Sequence, residues 1–255
     1  MNKMNLSTII ITRNEADVIG VCIKSVKNVS DEVIVLDSGS KDDTANIAKK
    51  LGAKVYSHNF KNFSDQRNHA ASFAKGEWIL FLDADEQATE EFNNEIVGIV
   101  RGGQSDLRPK NGYFIKRKTF YFDKDWEFMD KVQRLFKREK FKGWKGIVHE
   151  TPEIEGEFGV IQHPIIHKTH RSLEQMVAKT NDWSEFEADL RLKSHHPKMT
   201  ARRFIRVMLT AYYHSYIRGK GYKNGTAGVV EAIYQSFSMF ITYAKLWEQQ
   251  MKKEA

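Results

Sequence analysis

Cysteine, proline and long apolar segments are scarce in this chain. Among its 255 residues, only Cys22 is a cysteine and four are prolines. A single thiol excludes an internal disulfide framework and a thiolate zinc cluster, and it is typical of a reducing compartment. The first residues, MNKMNLSTIII, lack the apolar region and the small-residue cleavage site of a signal peptide. We therefore expect a cytoplasmic protein.

Positive charge is in excess, with a formal net charge of +7 at pH 7. Lys and Arg are dense in residues 108–145 and 198–223, whereas the first hundred residues are nearly balanced. The composition is that of a folded protein without low-complexity tracts. A basic later half favours a phosphate-rich partner, which includes nucleotides, phosphorylated glycolipids, anionic membranes and nucleic acid.

Strand and helix patterns alternate over the first hundred residues. LSTIIIT, DEVIVL and WILFL are short apolar runs at residues 6–12, 31–36 and 78–82, and helix-like patterns separate them. Such runs are typical of strands that are buried on both faces. The alternation predicts an α/β fold, with a mostly parallel sheet and helices on both sides.

Three polar residues stand at the end of these runs or directly after it. They are Thr12, Asp37 and Asp83. Ligands of open parallel sheets bind in the crevice at the carboxyl ends of the strands. The sequence therefore predicts that these side chains meet at one edge of the sheet.

The sequence pattern changes after residue 112. Residues 112–122 and 132–136 alternate between apolar and polar side chains, which predicts added β structure beside the main sheet. Helical patterns begin at residue 172. We predict one domain over residues 1–171, divided near residue 105, and a helical region over residues 172–255.

The segment DADE follows the apolar run WILFL and contains Asp83 and Asp85. Two carboxylates at this spacing can bind a hard divalent cation, Mg²⁺ or Mn²⁺, which then bridges a nucleotide diphosphate. A solvated acidic turn is the alternative, because such triplets are common in loops. The position after a buried strand favours the metal site.

Further residues are candidates for binding a nucleotide. Asp37 can accept the imide N–H of uracil or a ribose hydroxyl, although Asp37 and Ser38 are also typical of a turn or helix cap. Arg67 opens a helix whose backbone N–H groups can face a diphosphate, and an exposed surface arginine is its alternative. A segment after the first strand is expected to close over the base and ribose. It comprises Thr12, Arg13, Asn14 and Glu15, of which Asn14 is alternatively a helix cap.

Several separated segments together resemble glycosyltransferase family 2. In chain order they are TIIITRNEADVIG, VIVLDSGSKDDT, SDQRNHAA, GEWILFLDADE, RLFKRE and GIVHE. Within that family the chain is similar to WaaE-type lipopolysaccharide-core glucosyltransferases, including FITYAKLWE near its end. The resemblance implies a GT-A fold, a UDP-sugar such as UDP-glucose, a divalent metal, and inversion at the anomeric carbon.

The resemblance also implies roles for individual residues. Asp37 contacts the nucleoside, Arg67 the donor, and Asp83 with Asp85 the donor sugar, diphosphate and metal. Residues 1–105 then form the donor-binding half of the catalytic domain, and residues 106–171 form its acceptor side.

An inverting transfer needs a carboxylate that takes the proton of the acceptor hydroxyl. Glu150 in GIVHE is the predicted general base, with His149 beside it to reach metal or diphosphate. Asp125 and Asp130 are alternatives, and Glu150 alternatively pairs with a lysine. Three histidines in IQHPIIHKTH are predicted to be structural, because no helix spaces them on one face. They are His163, His167 and His170.

The last predicted helices combine aromatic residues with arginines and lysines, a pattern typical of contact with an anionic membrane surface. A spanning helix needs about 20 apolar residues, and Glu231 and Gln235 interrupt the longer candidate. We therefore expect peripheral attachment. Packing of these faces on the catalytic domain is the alternative.

Together these patterns and the resemblance predict an inverting transferase on the cytoplasmic face of a bacterial inner membrane. Its expected reaction adds a hexose, glucose by resemblance, to a lipopolysaccharide core or another glycolipid, without a nucleic-acid partner. A sugar-phosphate nucleotidyltransferase is one alternative, disfavoured because no Gly-rich loop follows the first strand. A non-catalytic basic module that binds nucleic acid or lipid is another, and it leaves the converging carboxylates unexplained.

Overall fold

The structure is a computed structural model that describes residues 4–102, 110–146 and 150–254. The chain forms two compact units. The first, here called the sheet unit, comprises Met1–Thr119 and Met129–Lys168, and the second, the helical unit, comprises Phe120–Phe128 and Thr169–Ala255. The domain boundary at residue 171 stays a prediction.

The sheet unit begins with alternating strands and helices. The strands are β1 (Leu6–Thr12), β2 (Glu32–Asp37), β3 (Lys54–Ser57) and β4 (Trp78–Asp83). The helices between them are α1 (Ala16–Val26), α2 (Thr44–Lys50) and α3 (Phe63–Ala71). These four strands are parallel and lie in the order β3-β2-β1-β4.

Both faces of the parallel strands are buried. Successive side chains of a strand point to opposite faces, and accordingly Ile10 and Leu80 belong to one apolar cluster while Ile9 and Ile79 belong to another. This arrangement explains the unbroken apolar runs in the sequence. Helix α1 covers one face through side chains that recur every three or four residues, a helical spacing. They are Val18, Ile19, Cys22, Ile23 and Val26.

The sheet continues with antiparallel strands. The strands and the helix that follow along the chain are β5 (Glu86–Gln87), α4 (Glu90–Val100), β6 (Gly112–Tyr121), β7 (Lys124–Lys137), β8 (Phe141–Lys145), β9 (Thr151–Ile154) and β10 (Phe158–Thr169). The eight-stranded order is β3-β2-β1-β4-β7-β6-β10-β5, and β8 and β9 form a separate hairpin. Strand β7 runs antiparallel to β4, and β10 runs antiparallel to β5. The predicted α/β fold with added β structure is confirmed.

The helical unit contains three long helices. They are α5 (Leu173–Lys193), α6 (Ala201–Tyr213) and α7 (Gly225–Glu254). A π-helical turn, His214–Arg218, and a 3-10 turn, Gly221–Asn224, connect α6 to α7. Ala188, Tyr243 and Leu246 lie in the core of this unit. Over the described ranges, no helix combines the length and apolarity needed to cross a membrane.

Candidate active site

The carboxyl edge of the parallel strands brings together the residues predicted to converge. In the pairing of β1 with β2, Thr12 aligns with Asp37, and in the pairing of β1 with β4, Ile11 aligns with Asp83. The convergence therefore follows from strand register, because all three runs end at the same level of the sheet.

Asp83 is held by two buried arginines. Its Oδ1 accepts a hydrogen bond from Arg67 Nη2 at 2.9 Å, and its Oδ2 accepts one from Arg134 Nη2 at 2.6 Å. Arg67 and Arg134 are only 3% and 6% exposed. Burial acts to raise the pKa of Asp83, but Arg134, Arg67 and Arg117 outweigh it, and this pKa lies below its usual range. The carboxylate is therefore ionised and neutralised by fixed positive charge.

Arg67 also binds Glu150, so that one guanidinium joins two carboxylates predicted from separate motifs. Its Nη1 donates to Glu150 Oε1 while its Nη2 donates to Asp83. The ring of Trp144 lies 5.0 Å from the guanidinium carbon, and Asn68 holds the Trp144 backbone through hydrogen bonds of 2.7 and 2.9 Å. The bond to Glu150 comes from an arginine and not from the lysine considered above.

The alternative bases differ from Glu150 in their surroundings. Asp130 accepts two hydrogen bonds from Arg117, at 2.6 and 3.0 Å, and Asp125 belongs to the helical unit. His149 lies outside the described residues. Of the candidates in the sheet unit, Glu150 is the one that Arg67 joins to Asp83.

The turn after β4 is stabilised from within. Glu86 is completely buried, and its Oε2 accepts a hydrogen bond from the Asp83 backbone N–H at 2.9 Å. Its Oε1 accepts one from Arg117 at 3.2 Å. Burial and the neighbouring Asp83 raise the pKa of Glu86 against the opposing effect of Arg134 and Arg117. Sequence reasoning did not identify Glu86, Arg117 or Arg134 as site residues.

Asp85 faces a histidine. The Nε2 of His167 lies 3.4 Å from Asp85 Oδ2, and β10 reaches this position because His167 aligns with Glu86 in its pairing with β5. A carboxylate oxygen suits Mg²⁺ or Mn²⁺, and an imidazole nitrogen is a common ligand of divalent transition metals. Both oxygens of Asp83 are already bonded to arginines. The residues that fit a divalent cation best are therefore Asp85 and His167.

Within the part of the chain that the structure describes, no group of three or more His, Cys, Asp or Glu side chains forms a metal site. The other two histidines of the segment IQHPIIHKTH pair with carboxylates. His163 Nδ1 lies 2.8 Å from Glu95, and His170 Nδ1 lies 2.8 Å from Glu231. The structural interpretation thus suits His163 and His170, whereas His167 faces Asp85, a residue predicted to bind a metal ion.

Asp37 and the loop after β1 form a connected turn. Ser40 donates to both Asp37 oxygens through its hydroxyl and its backbone N–H, and Ser38 Oγ donates to Gln66 Oε1 at 3.0 Å. Asn14 has a positive φ of 54°, and its Oδ1 accepts from the Lys41 backbone N–H at 2.8 Å. Asp37 therefore fulfils the turn role, while its oxygens keep lone pairs for a ligand.

The remaining residues of this loop differ in exposure. Thr12 is buried, and its Oγ1 has no hydrogen-bond partner among the described residues. Buried polar atoms are normally hydrogen-bonded, so this hydroxyl is suited to a ligand at the edge. Arg13 is exposed, and Glu15 directly precedes α1.

Comparison with known proteins identifies the family. The sequence profile described as Glycosyl transferase family 2 matches residues 7–168. This chain belongs to glycosyl transferase family 2. An uncharacterized glycosyltransferase of Rickettsia conorii is 30% identical over 269 residues, covering 100% of this chain and 95% of that one. One from Rickettsia typhi is 31% identical over 261 residues, covering 97% and 88%.

Solved structures of similar proteins include residues 1–349 of S. aureus TarS. It is 14% identical with a TM-score of 0.48, over 99% of this chain and 92% of that one. Glucosyl-3-phosphoglycerate synthase from Mycobacterium tuberculosis, in complex with Mn²⁺, UDP and glucosyl-3-phosphoglycerate, is 24% identical with a TM-score of 0.36, over 46% and 44%. Membership of family 2 makes the chain a glycosyltransferase, whereas the WaaE-type resemblance stays a prediction.

Proposed function

We propose that this glycosyltransferase moves a hexose from a UDP-sugar to a hydroxyl of a lipopolysaccharide core or related glycolipid, with inversion. One observation carries the proposal. Arg67 holds Asp83 and Glu150 together in the unit whose sheet edge also bears Asp37 and Thr12. Asp83, a predicted donor-binding residue, and Glu150, the proposed base, are thereby connected through a single guanidinium.

The donor side of the site is rich in groups that suit a nucleotide. The free lone pairs of Asp37 can accept the uracil imide N–H, and the buried Thr12 hydroxyl lacks a partner among the residues described. Asp85 and His167 are the residues that would hold a divalent cation. Such a cation supplies positive charge that stabilises the leaving diphosphate. Arg67 and Arg134 add fixed positive charge at Asp83.

Glu150 supports the acceptor side as general base. An inverting reaction in one step needs a base that accepts the hydroxyl proton while the bond to the anomeric carbon forms. Arg67 binds one oxygen of Glu150, which fixes the carboxylate relative to Asp83. The second oxygen is then the one that receives the proton.

A donor screen tests the proposed reaction. The full chain is heated with Mn²⁺ and a panel of nucleotide sugars, because a bound donor stabilises the fold by mass action. We expect a UDP-hexose to raise the melting temperature most and to be turned over with a glycolipid acceptor. Stabilisation by no nucleotide sugar, together with absence of transfer, would overturn the proposal.

Glu150→Gln tests the base separately. This change keeps the shape of the side chain but removes the proton acceptor, so transfer should fall by at least 10²-fold while UDP binding persists. Glu157→Gln is the matched control, since Glu157 is an exposed residue of the same unit that pairs with Lys110. Near-normal turnover of Glu150→Gln would remove Glu150 from the role.

Attachment to the cytoplasmic face of the inner membrane is part of the proposal. Helix α7 exposes a stripe of large apolar side chains at helical spacing. Its members include Val229, Ile233, Phe237, Phe240 and Trp247. Monomeric soluble proteins rarely expose large contiguous apolar patches.

Helix α6 supports the same interpretation. Ile205 and Leu209 are 60% and 64% exposed, and Tyr213 continues their spacing of four residues. Exposed Arg202 and Arg206 lie on the same helix. Apolar side chains beside arginines complement a surface of anionic lipid head groups.

Sedimentation with anionic vesicles at low salt tests the attachment. The intact chain should pellet, and the double variant Ile233→Ser with Phe237→Ser should pellet markedly less. Val21→Ser is the control, because Val21 is an exposed apolar residue of the sheet unit. Recovery of the intact chain wholly in the supernatant would contradict membrane contact.

A further inference from the structure

The helical unit contains a cavity of about 930 Å³. Its walls are α6, α7, the π-helical turn and the tip of the β6–β7 hairpin, all of which belong to this unit. Ligand-binding pockets typically measure about 300–1,000 Å³. The cavity therefore has the size of a small-molecule site, and none of its lining residues serves the proposed donor site.

The inner part of the cavity is aromatic. Trp126 and Tyr243 are almost fully buried there, and Tyr121 meets Trp126 edge to face at 4.8 Å. Val207 and Met239 add apolar surface. Aromatic faces carry partial negative charge, so they attract the C–H hydrogens on the flat side of a sugar ring.

The outer part of the cavity is cationic. Arg206 and Arg218 line it and are exposed, and neither guanidinium has a hydrogen bond or an ion pair in the described ranges. His214 is exposed beside them. Arginine binds phosphate and carboxylate through two parallel hydrogen bonds. This side of the cavity is therefore suited to an anionic group.

The carboxylate inside the cavity does not neutralise these arginines. Glu231 is 3% exposed. Its Oε2 lies 2.8 Å from His170 Nδ1, and its Oε1 accepts a hydrogen bond from Gln235 at 2.7 Å. Both oxygens of Glu231 are thus engaged, which leaves Arg206 and Arg218 available to a ligand.

The wall that carries Arg218 is built by close backbone packing. His214, Ser215 and Arg218 belong to the π-helical turn, a feature often found at functional sites. A Cβ on Gly219 would lie 2.8 Å from the Ser215 carbonyl oxygen. The backbone of the turn that carries Arg218 is therefore closely packed.

We propose that this cavity binds an acidic saccharide. The sugar ring lies against Tyr121 and Trp126, and its phosphate or carboxylate lies between Arg206 and Arg218. The inference rests on the proposed function and deepens it, because it assigns an acidic sugar to the acceptor of the glycosyl transfer.

Titration of the full chain without any donor tests the cavity. Glucose 6-phosphate is the probe, and glucose and inorganic phosphate are compared with it by calorimetry. The sugar phosphate should bind saturably and at least 10-fold more tightly than either part alone. Arg206→Gln and Arg218→Gln should each weaken it by roughly 10-fold, because each removes a charge-assisted hydrogen bond.

Arg202→Gln is the matched control. Arg202 is exposed on the same helix as Arg206 but does not line the cavity, so its loss should leave binding unchanged. An equal loss in this control, phosphate that binds as tightly as the sugar phosphate, or absence of saturable binding would each overturn the proposal.

The failure of the cavity proposal and that of the proposed function are distinguishable. Sugar-phosphate binding with no turnover of any UDP-sugar would overturn the proposed transfer from a UDP-sugar and leave the cavity as a sugar-phosphate site. If the chain transfers sugar to a glycolipid and the KM for that glycolipid is unchanged in Arg206→Gln and Arg218→Gln, only the cavity proposal is wrong.

Discussion

The two arginine-rich sites of this chain differ in how their positive charge is balanced. At the sheet edge, Arg67 and Arg134 are buried and grip Asp83. In the helical unit, Arg206 and Arg218 are exposed and have no described ion pair. Buried charges persist only when paired, so the first pair defines the geometry of a site. The second pair, Arg206 and Arg218, remains available to bind an anionic ligand.

Asp83→Asn should have the largest effect, because it removes the charge that both buried arginines share. Breaking a buried ion pair from one side destabilises by about 3–5 kcal/mol, and transfer should fall by roughly 10³-fold. Urea unfolding and a transfer assay measure the two effects. Asp43→Asn, at an exposed aspartate that directly precedes α2, should change stability by less than about 0.5 kcal/mol. Equal unfolding midpoints for the two variants would contradict the inference that Asp83 balances the charge of the two buried arginines.

His167→Ala sharpens the assignment of the cation ligands. If His167 and Asp85 hold Mn²⁺, the Mn²⁺ concentration at half-maximal activity should rise about 10–100-fold, an effect at least as large as that of losing a supporting residue. His163→Ala is the control, since His163 pairs with Glu95 on the surface. If His167→Ala and His163→Ala reached half-maximal activity at the same Mn²⁺ concentration, the assignment of His167 as a cation ligand would be wrong.

Gly228→Ala should destabilise the helical unit. A Cβ at this position would lie 1.8 Å from the backbone oxygen of Gly221, and overpacking of this kind costs about 1–3 kcal/mol. Gly20→Ala in α1 is the control, because its Cβ would meet Ile47 at an ordinary 3.5 Å. Alanine there should stabilise the chain by up to about 1 kcal/mol. In thermal unfolding, we expect the midpoint to fall in Gly228→Ala and not in Gly20→Ala. An unchanged midpoint in Gly228→Ala would contradict the close packing of Gly228 against Gly221.

A smaller effect is expected from Glu32, a structural carboxylate at the opposite end of β2 from Asp37. Burial acts to raise the pKa of Glu32, but Lys54, Ser7 and the Lys75 backbone N–H outweigh it and lower this pKa. The stabilisation is therefore present above the ordinary pKa of about 4.5 and is lost as pH falls through the folded value. Unfolding free energies of wild type and Glu32→Gln should converge in acid, and a constant difference would contradict the prediction.

Arg218→Gln should have the smallest effect on stability. Its guanidinium is exposed and has no described partner, so the free energy of unfolding should change by less than about 0.5 kcal/mol. Arg134→Gln should cost about 3–5 kcal/mol. Denaturant unfolding compares the two variants, and similar losses would remove the contrast between the two sites.

The parallel half of the sheet could be predicted because each of its strands can be identified from a short stretch of sequence. Apolar runs and the polar residues that end them placed Asp37 and Asp83 at one edge, and the register confirms this placement. Arg67 and Glu150 were selected from separate motifs, and the structure joins them. Their catalytic and binding roles stay predictions.

Sequence reasoning assigned no site role to two residues on the antiparallel strands: Arg134 was not named as a site residue, and His167 was predicted to be structural. Arg134 and His167 reach the site only because β7 and β10 return beside distant strands, and local patterns do not encode that return. A weak signal existed, since Arg134 precedes the apolar pair of RLFKRE and His167 recurs four residues after His163. The cavity in the helical unit had no signal of this kind, because it depends on how α6 and α7 pack.

The alignment of β1 with its two neighbours has a consequence for how the gene can change. One residue inserted within β1 would turn every later side chain of that strand to the opposite face, and would carry Thr12 out of line with Asp37. Surface loops accept added length at little thermodynamic cost. Insertions and deletions are therefore expected to accumulate in the connections. The number of residues in β1, β2 and β4 is expected to stay constant, because it sets the relative positions of the site residues.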